Sequence, residues 1–300
     1  MKATLAAIVL FLIGIINVFA QQPSQDGARE TPPSTCMAIA RHGPTIENYK
    51  ALYADPVALP VIKTSTYAQS DGLNPYEVRI SYVGHSTYRI EDATGLAIAT
   101  DYNGYAGFEV IPDVITMNHA HSSHFTVAPD PRIPHVLRGW GTNGTPANHF
   151  LQIGEAIIRN VTTDINNQFA GYEPDGNSIF IFEMGGLCIG HLGHLHHQLT
   201  ENHYAKIGRL DILMVPVDGG YTLNVQEMTA IASRLRASLI LPMHWFGTYS
   251  LERFLAEARS EFPVDITSKS SIVVSLNTLP AQPLVRVLQP ESSGFGYGDD

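Results

Sequence analysis

Three apolar runs in this chain each lead into histidine, and nothing else in the sequence constrains the fold so tightly. Asp113-Val114-Ile115-Thr116-Met117 runs into Asn118-His119-Ala120-His121-Ser122-Ser123-His124. Leu187-Cys188-Ile189 runs into Gly190-His191-Leu192-Gly193-His194-Leu195-His196-His197, and Leu239-Ile240-Leu241 into Pro242-Met243-His244-Trp245. Short apolar runs of this kind read as buried strands. A lone histidine is usually a satisfied core or surface group, but three strand ends followed by histidine are hard to explain as packing. Alternate residues of an extended segment point the same way, so His119 and His121 are expected to face one point, with His124 brought round by a turn through Ser122-Ser123. Zinc needs neutral imidazoles at ~2.0–2.1 Å in a roughly tetrahedral array, and this loop supplies several.

The rest of the chain gives these strands a setting. Val78 to Val83 and Thr87 to Ile90 alternate apolar and polar residues around a Gly84-His85 break, and Leu96 to Thr100 follows a turn, which together read as a β-meander. Ser178 to Phe182 and Ile212 to Val215 are further buried strands, and strands at 272–276 and 284–287 close the domain. A helix is expected after Asn224, an N-cap with Glu227 three residues on, burying Val225, Met228, Ile231 and Leu235. A second is expected from Ser250, burying Leu251, Phe254, Leu255, Ala258 and Phe262. Mixed strands with helices interposed imply an α/β sandwich with its helices outside.

At the N-terminus Lys2 precedes an apolar run to Ala20, and Val18-Phe19-Ala20 fits the small-x-small cleavage pattern of a signal peptide. The expected organisation is a signal peptide at 1–20, an extended proline-rich arm at 21–75, one domain at 76–290 and a disordered tail at 291–300. No other stretch approaches the ~20 apolar residues of a membrane span, so no stable span is expected once the signal is removed. The expected location is periplasmic or secreted. There Cys36 and Cys188 either form a disulfide or leave Cys188 as a small buried strand residue. A formal net charge of −10 provides no basic stripe, which argues against a nucleic-acid partner and for a small-molecule substrate.

In the order and spacing of Gly84-His85-Ser86, Asp101, His119-x-His121-x-x-His124, His191-x-Gly-His194 and His244, the chain resembles the metallo-β-lactamase superfamily, most closely its branch of L-ascorbate-6-phosphate lactonase-like hydrolases. The resemblance covers roughly residues 77 to 288. It implies a four-layer αβ/βα sandwich with metals at one edge between two sheets. It further implies that His119, His121 and His191 hold a first zinc and that His124 and His244 lie where a second binds. Asp101 and His85 would sit close by, Asp101 orienting a ligand imidazole.

The chain departs from that pattern twice: Ser123 stands in the place of one family carboxylate and His194 in that of the bridging Asp. Both changes remove negative charge, so one zinc is expected and a second should bind weakly. The expected chemistry is hydrolysis of an ester, lactone or phosphodiester bond by a metal-bound hydroxide. Ser123, His194 or Asp218 would orient the water, with His194 as a further metal ligand or an acid. The competing reading is a metal-binding or sensing module that kept the imidazoles but lost catalysis.

Overall fold

The computed structural model describes residues 34–37, 72–167 and 171–291, all within the compact unit Pro33–Asp300. The expected signal segment, most of the arm and the tail lie outside the described residues. Among those described, no helix is long and apolar enough to cross a membrane.

Two sheets carry the fold. The first, six-stranded, is made of β1 (Val78–Gly84), β2 (Thr87–Asp92), β3 (Ala97–Ala99), β4 (Val114–Met117), β5 (His135–Arg138) and β13 (Ser271–Val274), in the order β13-β1-β2-β3-β4-β5. The second, eight-stranded, contains β6 (Phe150–Ile153), β7 (Ala156–Asn167), β8 (Gly171–Met184), β9 (Leu187–His191), β10 (Ile212–Pro216), β11 (Leu239–Met243), β12 (Val264–Ile266) and β14 (Leu284–Val287). Its order is β12-β14-β11-β10-β9-β8-β7-β6. Among the described residues of this domain the helices are α1 (Glu201–Ile207), α2 (Val225–Leu235) and α3 (Thr248–Ala258).

The pleat sorts the apolar side chains between cores. On β8, Phe180 and Phe182 face the core between the sheets, where Ile80, Tyr82, Tyr88 and Ile98 meet them. Ile179 and Ile181, one residue out of phase, face the opposite side and pack with Met228, Ile231, Phe254 and Leu255 of α2 and α3. The chain is thus the mixed α/β protein with two sheets that its pattern predicts. A smaller cluster on the outer face of the first sheet, with Ile115, Met117, Tyr102 and Ile133, is covered by loop residues; among the described residues no helix lies there.

Asn224 caps α2 by accepting from the Glu227 N–H at 2.9 Å. The antiparallel hairpin of β7 and β8 is longer than its sequence suggests, because its outer end, with Asp164, Asn166, Gly171, Tyr172 and Glu173, carries little apolar alternation.

Cys36 and Cys188 are joined, with Cα atoms 5.8 Å apart, which fixes the arm at Cys36 to β9. The join is reinforced. Ser34 Oγ donates to Glu183 at 2.5 Å and Arg209 N–H to the Cys36 carbonyl at 3.0 Å. Arg159 pairs with Glu183 at 3.2 Å and caps the carbonyls of Lys206 and Ile207, the last turn of α1, at 2.7 Å each.

Strands β3, β4 and β5 run parallel, as do β9, β10 and β11. Their carboxyl ends, with the β1–β2 turn, open on one edge of the sandwich, and every histidine run identified above follows one of those ends.

Candidate metal centre

Three residues at this edge hold left-handed backbone without being glycine: His85 (φ 50°) in the β1–β2 turn, Asp101 (φ 43°) after β3 and His244 (φ 58°) after β11. Such conformations are rare for these residue types and persist where the surroundings enforce them. Here the enforcement is mutual, since the His244 N–H donates to the His85 carbonyl at 2.7 Å, which also accepts from Tyr82 Oη–H at 2.8 Å. The strained backbone drives the two imidazoles together, with ring centroids 4.3 Å apart.

One nitrogen from each of His85, His121, His124 and His244 lies within 4.8 Å of the others. His194 joins them, its Nε2 3.2 Å from His121 Nε2 and its ring 4.7 Å from both His124 and His244. Two buried carboxylates set the far nitrogens. His124 Nδ1 lies 2.6 Å from Asp101 Oδ2, and His244 Nδ1 lies 2.9 Å from Asp218 Oδ1. A carboxylate holds the proton on the nitrogen facing it, leaving the other nitrogen a bare donor. The two bare donors face each other, His124 Nε2 and His244 Nε2 being 3.1 Å apart. Facing lone pairs repel unless a cation lies between them. Two nitrogens on one tetrahedral metal at ~2.0–2.1 Å are separated by about 3.3 Å, so the spacing and the donor chemistry both fit a divalent ion.

Burial keeps the imidazoles neutral and ready to donate. It lowers His85 to about 3, helped by His244 and His121, and holds His124 and His194 well below their ordinary value, helped by neighbouring imidazoles. His121 is lowered for the same reasons. Burial alone would raise Asp218, but hydrogen bonds from His244, the Thr222 hydroxyl and the Gly220 N–H hold it below the usual carboxylate range. In Asp101 burial prevails and raises the carboxyl, against the pull of His191 and Asn118.

Not every residue predicted for the site reaches it. His119 does not. Strand β4 ends at Met117, and the following backbone turns, closed by His124 N–H to the His121 carbonyl at 2.9 Å, so strand alternation no longer applies. His119 instead pairs through Nδ1 with Glu173 Oε1 at 2.7 Å, stacked on Trp140 with centroids 5.0 Å apart. His191 is fully buried beside the centre with both nitrogens engaged. Nε2 donates to the Ser86 carbonyl at 2.9 Å and Nδ1 accepts from the Gly193 N–H at 3.1 Å, tying β9 to the β1–β2 turn.

The expected catalytic trio is likewise committed elsewhere. Ser123 Oγ lies 2.8 Å from both His85 Nε2 and His121 Nδ1, so it orients imidazoles and not water. Asp218 spends one oxygen on His244 and the Thr222 hydroxyl and the other on the N–H groups of Gly220 and Thr222, leaving no lone pair for a base. His194 places Nε2 against His121 and Nδ1 2.7 Å from His196 Nε2, an arrangement that suits a ligand better than an acid.

Two buried asparagines escaped sequence reasoning. Asn118 Nδ2 donates to Asp101 Oδ1 at 2.8 Å while its Oδ1 accepts from the Ser178 N–H at 2.7 Å, linking the two sheets. Asn177 Oδ1 accepts from the His194 N–H at 2.7 Å. Neither has a sequence signal beyond its place next to a histidine run or a strand.

A family model described as a beta-lactamase superfamily domain matches residues 79–244, more than half of the chain and the span from Arg79 in β1 to His244. The chain belongs to the beta-lactamase superfamily. A UPF0173 metal-dependent hydrolase of Methanoculleus marisnigri is 22% identical over 213 residues, covering 66% of this chain and 93% of that one. Another, from Thermoplasma acidophilum, is 27% identical over 174 residues, covering 50% and 75%. Among solved structures, a Thermotoga maritima protein assigned to the Zn-dependent hydrolases of the metallo-beta-lactamase superfamily superposes with a TM-score of 0.51 at 26% identity, over 71% of this chain and 100% of that one. The reading of this superfamily member as a metal-dependent hydrolase agrees with both kinds of relative.

Proposed function

We propose that the chain is a zinc-dependent hydrolase that cleaves an ester, lactone or phosphodiester bond of a small substrate in an exported, periplasmic or secreted compartment. The observation that carries this reading is the pair of bare nitrogens on His124 and His244, fixed face to face by Asp101 and Asp218. His85, His121 and His194 complete the donor set. A bound zinc ion would acidify water and polarise the oxygen of the bond to be cleaved. The protein's part is positional: Ser123 orients His121 and His85, His196 backs His194, and the two aspartates hold the remaining imidazoles.

The same two aspartates support a single ion. Each lies one imidazole away from the centre, and together they offset the charge of one dication. A second dication would meet only neutral nitrogens. The Cys36–Cys188 bond supports export, since disulfides persist in oxidising compartments.

Metal analysis of the purified protein should find about one zinc per chain. Turnover on a panel of lactones, aryl esters and bis(nitrophenyl) phosphate should disappear with a chelator or with His121→Ala. A protein that stays folded and takes up no zinc would overturn the proposal. Tight zinc binding without turnover would instead mark the chain as a metal-binding module. His194→Asp tests the charge argument, because a carboxylate there should raise zinc towards two per chain.

A further inference from the structure

On its outer side His121 forms part of the wall of a cleft of about 260 Å³, shared with His119, Phe125, Ile165 and Glu173. Among the described residues Glu173 is the one acid of this cleft, and neither lysine nor arginine lines it. Glu173 is fixed but not satisfied. Its Oε1 takes the His119 contact at 2.7 Å, its Oε2 has no partner among the described residues, and its side chain is 41% exposed. His119, stacked on Trp140 and 5.4 Å from Phe125, braces the carboxylate at the cleft wall.

A carboxylate with a free oxygen, beside an aromatic face in a partly desolvated cleft, is an arrangement that recognises cations. We propose that this cleft binds an alkylammonium group of the substrate, with Glu173 as its counter-charge and Phe125 as its aromatic face. The cleft shares His121 with the metal centre, so a group held there lies next to the imidazoles, and the role of this subsite in turnover rests on the hydrolase reading above. The preference concerns the group seated in the cleft and not the bond held at the metal centre. A phosphate or carboxylate seated in the cleft would meet Glu173, and among the described residues no lysine or arginine lines the cleft to offset it. His119, at a position where the family resemblance implies a metal ligand, becomes part of substrate recognition.

The test compares three small probes of similar size: choline, its neutral isostere 3,3-dimethylbutanol and the anionic 2-hydroxyethanesulfonate. Each is titrated into the full chain by calorimetry, in the parent and in Glu173→Gln. Choline should bind saturably, about tenfold tighter than the neutral isostere and about tenfold weaker in Glu173→Gln, with no binding of the sulfonate. Zinc content, measured on both proteins, should be equal, which separates loss of the subsite from collapse of the centre. The proposal is overturned if choline does not bind, if the isostere binds equally well, or if Glu173→Gln leaves choline affinity unchanged. Choline binding through Glu173 in a protein that hydrolyses nothing on the panel would sustain the subsite and defeat the hydrolase reading.

Discussion

At His124 and His244 the place of a single proton determines what the centre can hold. Asp101 and Asp218 keep that proton on Nδ1, so both Nε2 atoms are donors. In Asp101→Asn an amide replaces the carboxylate, and its NH₂ can turn towards Nδ1 and reverse the tautomer. Zinc affinity should fall about 10–100-fold, read by competition with a chromophoric chelator, while the fold survives. An affinity equal to the parent's would show that the carboxylate does not set the tautomer. Buried neutral imidazoles also make stability depend on pH. His85 titrates near 3 and His196 near 4 in the folded protein, with burial the leading cause in each. The unfolded chain takes up these protons at about 6.5. The unfolded state therefore binds more protons below that pH, and stability of the metal-free protein should fall steadily from about pH 6.5 towards pH 4. Urea midpoints at pH 8, 6 and 5 would follow the decline, and a flat series would contradict it.

At the scale of elements, the loop after β9 is held by close approach more than by side chains. Gly193 has φ +60°, and a Cβ there would lie 2.4 Å from both Asn118 Nδ2 and Asn177 Oδ1. Gly193→Ala should cost more than about 2 kcal/mol, measured by denaturant unfolding, and should weaken zinc binding by displacing His194 and the Asn118–Asp101 contact. Much of this architecture is legible in the sequence, because apolar runs such as Ile212–Val215 and the Asn224 cap act locally. The helix after Gly247 is legible in its buried face, although it starts at Thr248, two residues earlier than predicted. Helix α1 is not legible: seven residues long and burying only Ile207, it shows no amphipathic period. The misplacement of His119 has a similar cause. Its direction depends on whether β4 runs two residues further, and the contacts that end it, with Glu173, Gly176 and Trp140, come from segments distant in sequence.

Over the whole molecule, the segment at 34–37 and the interior strand β9, joined through cysteines 152 residues apart in the chain, are covalently one. Closing a loop of that length limits the unfolded chain by up to about 5 kcal/mol in the loop-entropy account. The double variant Cys36→Ser, Cys188→Ser should therefore melt well below the parent, and an unchanged midpoint would show that the contacts around Glu183 suffice alone. The imidazole cluster acts across similar distances, because its donors come from positions 85, 121, 124, 194 and 244. An ion bound there would join both sheets, and its binding energy would add to stability in proportion to the logarithm of its free concentration. A cage that presents only nitrogen donors has little means of refusing copper, which stands above zinc in the ordinary order of divalent affinities. Whichever ion fills it is then decided by supply, so a protein matured where copper is plentiful should carry a different metal from one loaded where copper is scarce.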